Sequence, residues 1–143
     1  GFFTPTNSTQ WSSLTEAMLG SGIALAGAND TNQGLISAYE VTNMSLDQTE
    51  LVVLSACETG LGTNNAGEGV YGLQRALHVA GAQHLIMSLW KVDDQATQEL
   101  MTLFYANYLK SNAIHQAFRE AQLQLKEKYA HPYYWGAFVL TGK

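Results

Sequence analysis

From Leu51 onward the apolar positions follow two alternating rhythms. Leu51-Val52-Val53-Leu54 is an unbroken aliphatic run, followed by Ser55-Ala56-Cys57 and the turn Glu58-Thr59-Gly60. A short continuous apolar run closed by a glycine turn predicts a buried parallel strand. Gly60, Gly62 and Gly67 then mark a loop, after which Val70, Leu73 and Leu77 recur at helical spacing from about Glu68 to Ala80. Gly81 is placed to cap that helix. His84-Leu85-Ile86-Met87-Ser88-Leu89-Trp90 reads as a second buried strand, and Asp93 or Asp94 as the cap of a long helix with Ala96, Leu100, Phe104 and Tyr108 on one face. Ile114, Ala117, Phe118, Ala121 and Leu125 mark a further helix, His131-Pro132 breaks it, and Phe138 to Thr141 predicts a last short strand. Strand, helix, strand, two helices, strand predicts an α/β fold with a mostly parallel sheet flanked by helices.

Before Leu51 the pattern weakens, because Thr, Asn, Ser and Gly dominate. Ile23 to Gly27 fits a short strand, residues 29–34 a loop, and Gly34 to Met44 a stretch ending in a helix that contains Ala38, Tyr39 and Val41. Neither a repeat nor a linker interrupts residues 1–143, so one domain is expected, long enough for a core of its own.

Composition narrows the function classes. Hydrophobic residues make up 46% and charged residues 13%, which argues against disorder. The net charge is −5 and the seven Lys and Arg are scattered, so nucleic acid is not expected as a partner. No apolar stretch reaches the roughly 18 residues a membrane span needs. One cysteine cannot form an internal disulfide, which suits the reducing cytoplasm. A single Cys and four dispersed His lack the close spacing of a metal site. Gly60-Leu61-Gly62 lacks the Lys-Ser/Thr of a phosphate loop, and no cofactor is expected. The opening Gly1-Phe2-Phe3, with neither an initiator Met nor a signal peptide, reads as the start of a fragment or a processed chain.

Cys57 carries the candidate chemistry. The carboxyl end of a strand in an open α/β sheet is where ligands bind, because the loops diverge there. Position alone leaves two readings open: a nucleophilic thiol, or a small buried apolar residue. Glu58 lines the crevice or sits on an exposed turn. Trp90 is a wall of the pocket or a core aromatic. Asp93 and Asp94 attract a basic side chain or simply cap a helix, and capping is the simpler account. Pro132-Tyr133-Tyr134-Trp135 reads as packing ahead of the last strand.

Taken in order, several stretches carry a family resemblance. They are Leu51 through Gly60; Gly67-Glu68-Gly69-Val70 with Leu73 and Arg75-Ala76; Ala80-Gly81-Ala82; Met87 through Asp94 with Ala96-Thr97; and Pro132-Tyr133-Tyr134-Trp135-Gly136-Ala137-Phe138-Val139-Leu140. Leu25 to Asn29 and Gly34 to Val41 also fit. Together they resemble the CHAT domain, a caspase-like cysteine protease module often joined to tetratricopeptide repeats. The resemblance implies that Cys57 is the nucleophile and that the backbone N–H groups of Cys57 and Gly1 form the oxyanion hole. Glu58, Trp90 and Asp93 are expected at the substrate. It also implies that the general base is the histidine immediately preceding Gly1, and that the sheet is incomplete at its N-terminal side. His78, His84, His115 and His131 are expected to be surface or packing residues, so this chain alone is expected to lack a complete dyad.

The resulting expectation is the C-terminal part of a cysteine endopeptidase acting on a protein substrate, with an N-terminal chain or a tetratricopeptide-repeat region as partner. The rival is a catalytically incomplete fragment or pseudo-protease that serves as an interaction module. A flavodoxin-like receiver fits the strand order but needs clustered acidic residues that the sequence lacks.

Overall fold

The structure, a computed structural model, describes residues 2–3, 18–28, 34–55 and 66–143, with residues 2–3 and 66–70 as backbone alone. Two small sheets organise them. In the first, β1 (Phe2–Phe3), β2 (Gly22–Ala24) and β3 (Leu35–Ser37) run antiparallel, with Phe2 opposite Ile23 and Ile23 opposite Ile36. Ser37 then caps the short helix α1 (Ala38–Val41) through a reciprocal capping box with Glu40.

The second sheet carries the candidate site. β4 (Leu51–Leu54) lies parallel to β5 (His84–Ser88), with Leu51 opposite His84 and Leu54 opposite Met87. The crossover between them includes helix α2 (Ala66–Val79). Gly81 ends it at φ 109°, where a Cβ would sit 2.5 Å from Asp47 Oδ1, so only glycine fits this turn. β5 leads into α3 (Asp94–Ser111), which Asn112 closes in the left-handed conformation. Next come α4 (Ile114–Lys128) and the single turn α5 (Pro132–Trp135). The chain returns through β6 (Phe138–Gly142), antiparallel to β5, with His84 opposite Gly142 and Ser88 opposite Phe138.

The expected mostly parallel sheet is therefore corrected: among the described residues only β4–β5 pairs in parallel, and the other pairings are antiparallel. The reason lies in the connections. One crossover helix returns the chain to the edge where the previous strand began, which makes the next strand parallel. Two helices joined by Asn112–Ala113 fold back on each other and return it to the edge where β5 ended. β6 must then run the opposite way.

Alternation along the strands divides the core. Ile86, Phe138 and the partly buried Leu51, Val53 and Leu140 face α3 and α4, where Leu100, Phe104, Phe118 and Leu125 are buried. Leu85, Met87 and the partly buried Val52, Leu54 and Val139 face the other way, onto Leu73, Ala76 and Leu77 of α2 and Ala38 and Val41 of α1. Full burial of a Leu, Ile or Phe side chain is worth about 1.5–3 kcal/mol. The helix layers thus hold the sheet from both faces.

Candidate active site

Parallel pairing brings the carboxyl ends of β4 and β5 to the same edge. Leu54 and Met87 are the last opposed pair there, followed by the exposed Ser55 on one strand and the buried Ser88 on the other. Cys57, Glu58 and Gly1 lie outside the described residues. What is described is the rim built by β5, α3 and α5.

Trp90 stands on that rim with 36% of its surface exposed. Its indole Nε1–H donates to the Tyr133 carbonyl at 3.2 Å, and the preceding Leu89 N–H donates to the Ala137 carbonyl at 2.8 Å. The turn after β5 is thereby tied to the segment that enters β6. Trp90 is neither a core aromatic nor a loose surface one: its polar edge is anchored while the ring stays accessible.

Asp93 is the N-cap of α3. Its Oδ1 accepts from the Ala96 N–H at 2.9 Å, and its carbonyl accepts from the Thr97 N–H and hydroxyl, each at 3.0 Å. Asp94 occupies the first helical position, so two carboxylates complement the positive end of the helix. Capping was the simpler account of Asp93, and the geometry supplies it. The side chain remains exposed.

Tyr133 is the rim residue that the pattern missed. Pro132 starts α5, the His131 Nδ1 accepts from the Tyr133 N–H at 3.1 Å, and the Gly136 N–H donates to the Pro132 carbonyl at 2.8 Å. Tyr134 and Trp135 pack inward as expected, with Tyr134 stacked on Tyr129 and Gln122 Nε2 bridging the carbonyls of Trp135 and Phe138. Tyr133 instead faces outward, 39% exposed, beside Trp90. Adjacent aromatic residues on a one-turn helix must point different ways, and that was the available signal.

The histidines divide between the two edges. His84 opens β5 and therefore sits at the amino edge, where His115 meets it edge-on with ring centroids 5.2 Å apart. His78 is also at this edge, with Nδ1 on the Ala82 carbonyl at 3.1 Å. His131 alone lies beside the rim, but its Nδ1 is used as an acceptor. A neutral imidazole bonded that way carries its proton on Nε2, leaving no free lone pair for base catalysis. Among the described residues no group of His, Cys, Asp and Glu is arranged to hold a metal ion, and no helix is long and apolar enough to cross a membrane.

Comparison with known proteins adds to this geometry. A family profile described as "CHAT domain" matches residues 2–143. The chain is 32% identical over 110 residues to tetratricopeptide repeat protein 28 of Homo sapiens, covering 76% of this chain and 4% of that protein. The Mus musculus protein of the same name is 31% identical over 110 residues, with the same coverage. The chain thus spans about 4% of the length of these relatives. No solved structure matches it.

Proposed function

The chain belongs to the CHAT domain family, a caspase-like protease family, and on that premise we propose that it is the nucleophile-bearing part of a cysteine endopeptidase acting on proteins. Cys57 is the nucleophile. One observation carries the reading. Cys57 lies three residues beyond Leu54, Trp90 lies three beyond Met87, and Leu54 and Met87 are paired in parallel. In this reading the chain beyond Leu54 carries Cys57 to the edge where Trp90 stands, and the accessible ring of Trp90 forms a wall for the substrate.

A free thiol near pKa 8.5 is only a few per cent thiolate at neutral pH, so it needs a base. In this reading the base is the histidine that immediately precedes Gly1 in the complete protein, since no described histidine is placed for the role. The imidazole takes the thiol proton as sulfur attacks the scissile carbonyl. The oxyanion is held by the N–H groups of Cys57 and Gly1, each such donor being worth roughly 2.7–4 kcal/mol. Collapse to the thioester expels the amine, which leaves with the proton returned from the imidazolium, and water then hydrolyses the thioester. Glu58 and Asp93 line the substrate side. The reducing cytoplasm is the natural setting, because it keeps a lone thiol free.

A second reading rests on β4. Among the described residues this aliphatic strand pairs only with β5, and all four of its residues are partly exposed. An open hydrophobic edge is a template for another strand. The upstream part of the domain fills it in the protease reading; a separate partner does so if the chain is an interaction module. The likeness to tetratricopeptide repeat proteins favours a repeat region joined to the domain in either case.

The test uses the complete protein with mass-mapped iodoacetamide labelling and a cleavage assay. Cys57 should be alkylated faster in the native protein than in the denatured one, and Cys57→Ala should lower turnover by about 10³-fold or more. Native Cys57 no more reactive than the denatured control, together with partner binding that survives Cys57→Ala, would leave only the interaction module.

A further inference from the structure

Three histidines from three different elements converge on three consecutive residues at the end of β6. His78, in the last turn of α2, places Nε2 3.2 Å from the Thr141 hydroxyl, which also accepts from Gln74 Nε2 at 3.2 Å. His84, the first residue of β5, is paired with Gly142, and a Cβ on that glycine would lie 2.7 Å from the His84 Nδ1. His115, in the first turn of α4, sits 3.2 Å through Nε2 from the Lys143 carbonyl and meets the His84 ring edge-on. We propose that His78, His84 and His115 form an acid-sensitive clasp that holds residues 141–143 against β5, and that protonation of His84 releases that end of β6.

The setting of His84 explains why the closed clasp needs that ring neutral. Carbonyls only accept, so His78 donates from Nδ1 to Ala82 and His115 donates from Nε2 to Lys143. With that proton on Nδ1, His78 accepts the Thr141 hydroxyl proton at Nε2. His84 Nδ1 is buried with no hydrogen-bond partner, which a bare ring nitrogen tolerates far better than an N–H donor. Charging His84 would create that stranded donor and set a cation against the neighbouring His115 ring. Burial, the nearby His115 and, to a smaller degree, His78 hold the His84 pKa below its ordinary 6.5, while Glu50 opposes them. Glu50 is itself engaged by the Tyr108 hydroxyl from α3 and so is shared between two elements. Releasing residues 141–143 gives the His84 ring access to water, which removes the penalty of charging it.

Hydrogen–deuterium exchange of the intact protein at pH 7.5 and 5.5, corrected for the intrinsic pH dependence of amide exchange, tests the clasp. A histidine that stays neutral when closed but titrates near 6.5 when open favours opening by up to about tenfold at pH 5.5. Peptides covering 138–143 should therefore lose several-fold more protection than peptides from α3. His115→Gln, which keeps an amide donor for the Lys143 carbonyl, should remove part of that difference, and His84→Phe should remove most of it. Should His84→Phe fail to fold, the result with His115→Gln decides alone. Equal acid sensitivity in β6 and α3, no acid sensitivity, or a β6 response untouched by His115→Gln would each overturn the clasp.

Discussion

The two ends of the β4–β5–β6 sheet are built differently. At the amino edge the backbone closes on itself: the Leu46 N–H donates to Ala80, Gln83 to Thr49 and His84 to Glu50, at 2.7, 3.1 and 3.0 Å. Gly81 and Gly142 let neighbouring segments approach closer than any side chain would allow. At the carboxyl edge the closures are longer in reach, an indole to a carbonyl and a carboxylate to a helix start, and aromatic surface stays open. Among the described residues, tight turns fix one edge while the other keeps accessible aromatic surface. On the proposed reading, the same difference is why a histidine at the amino edge is no substitute for a base at the carboxyl edge.

The shared core should break both edges together, with the largest effect. Phe104 is fully buried between Tyr108, stacked at 5.9 Å, and Phe118, edge-on at 5.8 Å. Phe104→Ala should cost about 3–5 kcal/mol by denaturant unfolding. Loss confined to one edge by exchange mapping would show that the edges do not depend on a common core.

The amino edge alone should yield to Gly142→Ala. Gly142 has φ 136°, and an added Cβ would stand 2.9 Å from the His84 Cα, a backbone atom that cannot swing aside. Overpacking of this kind costs about 1–3 kcal/mol. Acid should act at the same edge. Because the folded His84 pKa lies below 6.5, the unfolded chain binds more protons, so stability should fall as pH drops through 6.5 towards the folded value. A Gly142→Ala protein with unchanged unfolding and unchanged β6 exchange would contradict the tight closure described for this edge.

What the sequence disclosed follows the same division between local and distant. The run 51–54, the α2 repeat, the Gly81 cap and the Asp93 cap are local signals, and each is found in place. The antiparallel β6 was implicit in the order strand, helix, helix, strand, but strand composition alone suggested a parallel sheet. β1, β2 and β3 span two or three residues each, too short for a period to register, so their antiparallel sheet went unread. The histidine gathering joins residues 78, 84 and 115 from separate elements, and no spacing announces it. Tyr133 reads as packing because aromatic residues ahead of a last strand usually are core, which holds here for Tyr134 and Trp135. The catalytic assignment of Cys57 came from family resemblance, since periodicity left the thiol's role open.

The smallest effect is also the one that best defines the carboxyl edge. Asp93 has two candidate duties, capping α3 and presenting charge to a substrate, and two substitutions separate them. Asp93→Ala removes the acceptor of the Ala96 N–H and should cost about 1 kcal/mol. Asp93→Asn keeps a side-chain oxygen for that bond, and Asn caps about as well as Asp, so its stability should stay within a few tenths of a kcal/mol of the parent. The charge is nevertheless gone. If the carboxylate meets a basic side chain of the substrate, Asp93→Asn should raise KM for basic peptides severalfold while leaving kcat and neutral peptides alone. The contribution is small because the group is exposed and its field is screened by solvent. Identical KM values for basic peptides with Asp and Asn at this position would confine Asp93 to holding the helix start. On the proposed reading, the exposed rings of Trp90 and Tyr133 would then be what this edge offers a substrate.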